Sequence, residues 1–158
     1  MSRLDSVIRR LQAQRACIGA TLARAPAGPV LEIGLGNGRT YDHLREHAGD
    51  RDIWVIEREP AAHPDSMPPP ERLLVGEAAA TIEALAARLG PTVAVVHYDL
   101  GIGVPEEDGP TAAGVAAALP ALLAPGALVA ANCALPGFAE AGTPPEVPEG
   151  RYHVLSRA

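Results

Sequence analysis

The chain has 158 residues, 47% of them hydrophobic and 20% charged, enough for one domain with a substantial core and too few for two ordinary ones. Its net charge of −6 and its 3% aromatic content argue against nucleic acid as a partner, which calls for basic faces and aromatic platforms. No apolar run approaches the ~20 residues of a membrane span, and Cys17 and Cys133 lack any CxxC or Cys/His spacing, which fits two separate thiols in a cytoplasmic protein better than one disulfide.

Residues 3–24 read as an amphipathic helix, with Leu4, Val7, Ile8, Leu11, Ile18 and Leu22 at helical spacing and Arg9, Arg10 and Arg15 between them. The run Ala25-Pro26-Ala27-Gly28-Pro29 stops it. This helix either covers the mouth of a site or packs as a plain core or dimer helix.

Next comes Val30-Leu31-Glu32-Ile33-Gly34-Leu35-Gly36-Asn37-Gly38-Arg39-Thr40-Tyr41, a short apolar strand that breaks into alternating glycines and then a helix over about 39–47. Such a turn lets backbone N–H groups and a helix N-terminus approach a ligand closely. The dinucleotide fingerprint is G-x-G-x-x-G, whereas Gly34, Gly36 and Gly38 have G-x-G-x-G spacing. Glu32, inside the strand, would repel a pyrophosphate and attract a cationic ligand. A nicotinamide-dependent oxidoreductase is disfavoured on both counts.

The segment resembles motif I of the class I S-adenosylmethionine-dependent methyltransferases, an acidic residue followed by Gly-x-Gly-x-Gly. S-adenosylmethionine carries a sulfonium and an α-ammonium and no phosphate. The resemblance implies cofactor contacts from Glu32, from the run Gly34-Leu35-Gly36-Asn37-Gly38, and from Thr40 and Tyr41. It also implies an α/β, Rossmann-like, doubly wound and mostly parallel sheet of order 3-2-1-4-5, with helices on both faces and the leading helix added.

The second strand, 52–57, ends on Glu57, placed to accept both ribose hydroxyls as motif II of the same family, or else to stand as a solvated strand-end acid. Five prolines between 60 and 70 make the usual crossover helix implausible. Strand 3 (72–75) is followed by Gly76-Glu77-Ala78, where the family often has Gly-Asp-Ala against the adenine. Glu77 is either a ligand contact or a first-turn acid of the helix at 78–89. Strand 4 (92–99) is a nearly continuous apolar run, as in a central parallel strand, and it delivers His97 and Asp99 to the sheet edge where such folds bind ligands.

A loop over 101–110, a helix over about 111–123 and strand 5 (127–132) complete the core. Residues 136–150 read as loop, and 152–157 as a single terminal strand where the family has a two-stranded hairpin. The chain thus divides into an N-terminal helix (1–27), a cofactor-binding core (28–135) and a loop with its terminal strand (136–158).

Methyl transfer needs alignment above all, and an O or N acceptor needs a base in reach. Asp99 and His97 are the candidates, with His153 behind them; Asp99 is otherwise structural, and His97 otherwise a hydrogen-bonded core residue. His43, His47 and His63 read as surface residues. Asp99 and Asn132 match two positions of the metal-dependent catechol-type enzymes, but Ala131 replaces the middle acid, so no metal is expected. The expected activity is methylation of a small-molecule O or N acceptor, with a homodimer suggested by the sheet edge left open at the C-terminus. The alternative is a non-catalytic S-adenosylmethionine-binding protein, which a site without a cavity beside the methyl group would favour.

Overall fold

Helical periodicity and a strong start signal make the first element. Ser2 caps α1 (Arg3–Arg24) through a reciprocal capping box with Asp5. In the computed structural model, which describes residues 1–158, there follow β1 (Val30–Ile33), α2 (Arg39–His47), β2 (Ile53–Glu57) and β3 (Leu73–Val75). Two 3₁₀ turns, at Pro64–Ser66 and Pro70–Arg72, occupy the proline-rich crossover in place of a helix. Then come α3 (Ala78–Leu89), β4 (Val93–Tyr98), α4 (Pro105–Ala118), β5 (Leu123–Ala131), β6 (Phe138–Glu140) and β7 (His153–Arg157).

The seven strands form one sheet of order β3-β2-β1-β4-β5-β7-β6. β1 to β5 are parallel, as expected, and β7 and β6 are antiparallel. Strand alternation divides the core in two. Leu31, Ile33, Val96 and Tyr98 pack with Ile82, Leu85 and Val115 of α3 and α4. Val30 and Val95 pack on the other face with Ala13, Cys17 and Ile18 of α1 and Leu44 of α2. No helix is long and apolar enough to cross a membrane.

Three expectations are corrected. α4 begins at Pro105, inside the expected loop, because Pro105 opens the helix and Glu106, Glu107 and Asp108 suit its first turn. Pro110 sits inside it, where the carbonyl it leaves unpaired belongs to the exposed Glu106. Pro125-Gly126 is a bulge within β5, set in a shift of register against β4 between Val93 and Val95, not a turn before it. The single terminal strand is half of a hairpin: β6 pairs Phe138, Ala139 and Glu140 with Arg157, Ser156 and Leu155. β6 therefore covers the outer edge of β7 and is itself the edge strand of the sheet.

Candidate active site

The three motif glycines serve two different purposes. A Cβ on Gly34 (φ +92°) would meet Leu100 Cδ2 at 2.7 Å, and one on Gly38 (φ +87°) would meet Ser66 Cβ at 2.5 Å. Gly36 (φ +52°) has no atom within 4 Å of its Cβ position. The outer two glycines fit the loop to its neighbours; the middle one leaves open space above the loop.

That space is a groove with two lobes over the carboxyl ends of the central strands, meeting at Gly34, Glu57, Leu100 and Gly101. One lobe, of about 280 Å³, has the apolar walls Ile33, Ile56 and Ile102, and is closed by Gly76, Glu77 and Ala78 where α3 begins. The other, of about 320 Å³, is polar: Asn37, Thr40, Asp99, Arg10 and Gln14 line it. Asp108 stabilises the far wall by accepting from the backbone N–H of Ile102 (2.9 Å) and Gly103 (2.8 Å).

Glu57 stands where the lobes meet. Its Oε2 accepts from Leu35 N at 2.8 Å and Gly36 N at 3.3 Å, and its Oε1 from Glu59 N at 3.0 Å. Burial raises its pKa, but the backbone donors of Glu59, Leu35, Gly36 and Arg58 outweigh it and hold the carboxyl below its ordinary value.

Glu32 lies one layer lower. It is fully buried, in neither lobe of the groove, and accepts from Thr40 Oγ1 (2.6 Å) and from His97 Nδ1 (3.0 Å). Its Oε2 is buried without a partner. His97 is also buried, and its Nε2 is 2.5 Å from the Tyr152 hydroxyl. Burial lowers the His97 pKa, yet the charge and hydrogen bond of Glu32, aided by Asp99, carry it above its ordinary value. Burial also holds the Tyr152 phenol well above its usual range, and the charge of Asp99 adds to it, so this hydroxyl stays neutral.

Asp99 reaches the groove itself. Gln14 Nε2 donates to its Oδ2 at 2.6 Å, Arg10 approaches the same oxygen at 3.4 Å, and Asn132 Nδ2 donates to Oδ1 at 2.9 Å. Gln14 also donates to Tyr152 at 3.4 Å, so the buried His97 network and the groove share one side chain.

The structure thus gathers Gly34, Leu35, Gly36, Asn37, Thr40, Glu57, Gly76, Glu77, Ala78 and Asp99 around the groove. Tyr41 is placed elsewhere: it is buried beside Leu35 and Val55, against the core. The reason is the turn of α2, which sends Thr40 to the loop and Tyr41 under it. Gly38 supports the turn without lining the groove, and His97 lies beneath the groove rather than in it, in the buried core role. Of the remaining histidines, His153 is held by Glu140, His47 stacks on His43, and His63 caps a 3₁₀ turn. Asn132 gives its amide to Asp99 and to the Leu100 carbonyl, and no three His, Cys, Asp or Glu side chains converge as a metal site. Arg10, Gln14 and Tyr152 escaped sequence reasoning; the only signal was the helical phase that places Arg10 and Gln14 on one face.

The groove fits S-adenosyl-L-methionine. Its apolar lobe suits a flat base, its polar lobe suits a zwitterionic amino acid, and between them is an acceptor-rich carboxylate suited to ribose hydroxyls. A Cβ at Gly36 would occupy the same space.

Residues 1–157 match the family model of S-adenosyl-L-methionine methyltransferases. The chain is 40% identical to an S-adenosyl-L-methionine methyl transferase from Silicibacter pomeroyi DSS-3, with 100% of this chain and 99% of that one covered and a TM-score of 0.91. Human methyltransferase-like protein 13, solved in complex with SAH, shares the fold at 14% identity and TM-score 0.53, over 94% of this chain and 78% of that one. No curated protein matches.

Proposed function

The chain belongs to the S-adenosyl-L-methionine methyltransferase family, and from that premise we propose that it methylates an O or N atom of a small molecule brought to Asp99. The observation that carries this reading is the position of Asp99. It ends the polar lobe, and the Asn132 that binds it also lines a further cavity of about 490 Å³ beside that lobe. A site able to hold cofactor alone would lack such a space.

S-adenosyl-L-methionine supplies a methyl group on a sulfonium, which is already a good leaving group. The protein's contribution is therefore alignment, an effect that can reach about 7–11 kcal/mol. Glu57, Gly76 and Glu77 are the residues suited to the adenosine end; Gly36, Asn37 and Thr40 are suited to the methionine end. Asp99 accepts the acceptor's proton, and Gln14 and Asn132 hold its carboxylate in one orientation through both oxygens. Glu32 and His97 act through Thr40 and Gln14 as positioning residues, since neither touches the groove.

The test is calorimetric titration with S-adenosylmethionine and then S-adenosylhomocysteine, followed by label transfer to small acceptors. Micromolar binding of both, with transfer that Asp99→Asn abolishes while S-adenosylhomocysteine still binds, is expected. Transfer undiminished in Asp99→Asn would remove the assignment of the base.

A further inference from the structure

The cavity beside the polar lobe is lined by Arg10, Asn132, Glu149, Gly150 and Arg151. Arg10 lines the polar lobe as well, and Asn132 donates to Asp99. The cavity therefore borders the point where the acceptor must lose its proton.

Its charge is unusual for this chain. All 13 basic residues are arginine, set against 19 acids, and three of them, Arg51, Arg72 and Arg151, are half-buried. Arg51 donates to the carbonyls of Ala25, Pro26 and Gly28. Arg72 pairs with Asp52 at 2.8 Å and lies over the Trp54 ring. Arg151 has no carboxylate within ion-pair distance; its one side-chain hydrogen bond is to the Ser6 hydroxyl at 3.5 Å. Glu149, on the same rim, pairs with neither arginine, and Arg10 has Asp99 alone, at 3.4 Å.

Local backbone explains the placement. Arg151 N donates to the Pro148 carbonyl at 3.0 Å, closing a turn in which Gly150 takes φ +69°. This turn sets Arg151 against Ser6 of α1, one helical turn before Arg10. A partly desolvated guanidinium retains five N–H donors in a fixed fork that matches carboxylate or phosphate geometry. With no carboxylate beside it, that half-buried fork is open to an anionic ligand entering the cavity.

We propose that the methyl acceptor carries an anionic group, a carboxylate or a phosphate, held by Arg151 and Arg10 while its O–H or N–H is presented to Asp99. This rests on the reading of the groove as a methyl-transfer site. In the step so arranged, the acceptor O or N bonds to the methyl carbon as the carbon–sulfur bond breaks. The electron pair of that bond stays on sulfur, leaving S-adenosylhomocysteine, and the acceptor's proton passes to Asp99.

The experiment is calorimetry at fixed ionic strength with malonate, inorganic phosphate and uncharged malonamide, each with and without saturating S-adenosylhomocysteine. Wild type should bind at least one anion roughly tenfold more tightly than malonamide, and the tighter anion identifies the headgroup. Arg151→Gln should lose that preference, Arg151→Lys should retain part of it, and Arg88→Gln, which lies over Trp54, should not alter it. Equal binding of malonate and malonamide, or a preference that survives Arg151→Gln, would overturn the proposal. Should Arg151→Gln fail to fold, Arg151→Lys decides, because loss of the fork alone must weaken the anion. Failure of S-adenosylhomocysteine to bind, with the anion preference intact, would instead count against the methyl-transfer reading.

Discussion

Glu32 and His97 are direct partners across the β1–β4 pair, with His97 Nδ1 at 3.0 Å from Glu32 Oε1 and both side chains sealed from solvent. The acid of the glycine-rich motif is thus built into the core, under the ligand groove. A buried charged pair of this kind is sensitive to removal of either member, because the survivor is left without a partner.

Replacing the imidazole with an apolar group of similar size strands the carboxylate. His97→Leu should destabilise the protein by about 3–5 kcal/mol in urea denaturation. The cost should also depend on pH. The folded His97 pKa lies above its ordinary 6.5, so the stabilisation from its proton is full below about pH 6.5 and is lost as pH rises through the folded value. The difference between wild type and variant should shrink on the alkaline side. A difference independent of pH would show that the imidazolium contributes nothing.

Thr40 joins this buried pair to the groove wall. Thr40→Val keeps the shape and removes one of the two donors to Glu32 Oε1, leaving His97 Nδ1 as the other, at a cost of about 1.5–3 kcal/mol for a hydrogen bond to a charged group. Affinity for S-adenosylhomocysteine should fall as well, since Thr40 lines the polar lobe. Calorimetry beside thermal unfolding reads the two effects separately, and unchanged affinity would place Glu32 and Thr40 in the fold alone.

The motif glycines should separate stability from binding. Gly38→Ala drives a Cβ into Ser66 and should lose well over 1 kcal/mol of stability. Gly36→Ala meets no protein atom, so its penalty is limited to the backbone strain of about 1 kcal/mol, while its methyl group takes up ligand space. Its signature is a large loss of S-adenosylhomocysteine affinity in a protein that still melts close to wild type. Equal losses of stability in the two variants would contradict this division.

Asp108 binds two consecutive N–H groups of the loop that walls the apolar lobe. Asp108→Ala should loosen Gly101–Val104 and weaken every adenosine-containing ligand several-fold, with little change in melting temperature because the loop is exposed. Faster amide exchange at Ile102 and Gly103 is the direct readout. Unaltered exchange at those two residues would rule out the assigned role.

Legibility varied along the chain for physical reasons. α1, α2 and α3 were bounded correctly from periodicity and stop signals, and the strand–glycine–helix turn carried enough local chemistry to indicate its ligand. The start of α4 is not legible because 101–110 is rich in glycine, proline and acid and reads as loop, whereas Pro105 and the acids after it set the true start. β6 is not legible because three residues are too short to show alternation, and their pairing partners lie 15 to 19 positions away.

The sequence by itself determined the parallel core, the glycine cradle with Glu57 beside it, and the arrival of Asp99 at the sheet edge. All of these depend on local backbone preference and on the alternation of apolar residues within single strands. Only the tertiary structure decided that Glu32 is a buried partner of His97, that Tyr41 faces the core, and that Gln14 and Arg10 reach Asp99. The contacts of Glu32, Gln14 and Arg10 join residues 65 to 89 positions apart. Such distances are bridged by the packing of α1 on the sheet and by strand register, which no short window of sequence encodes.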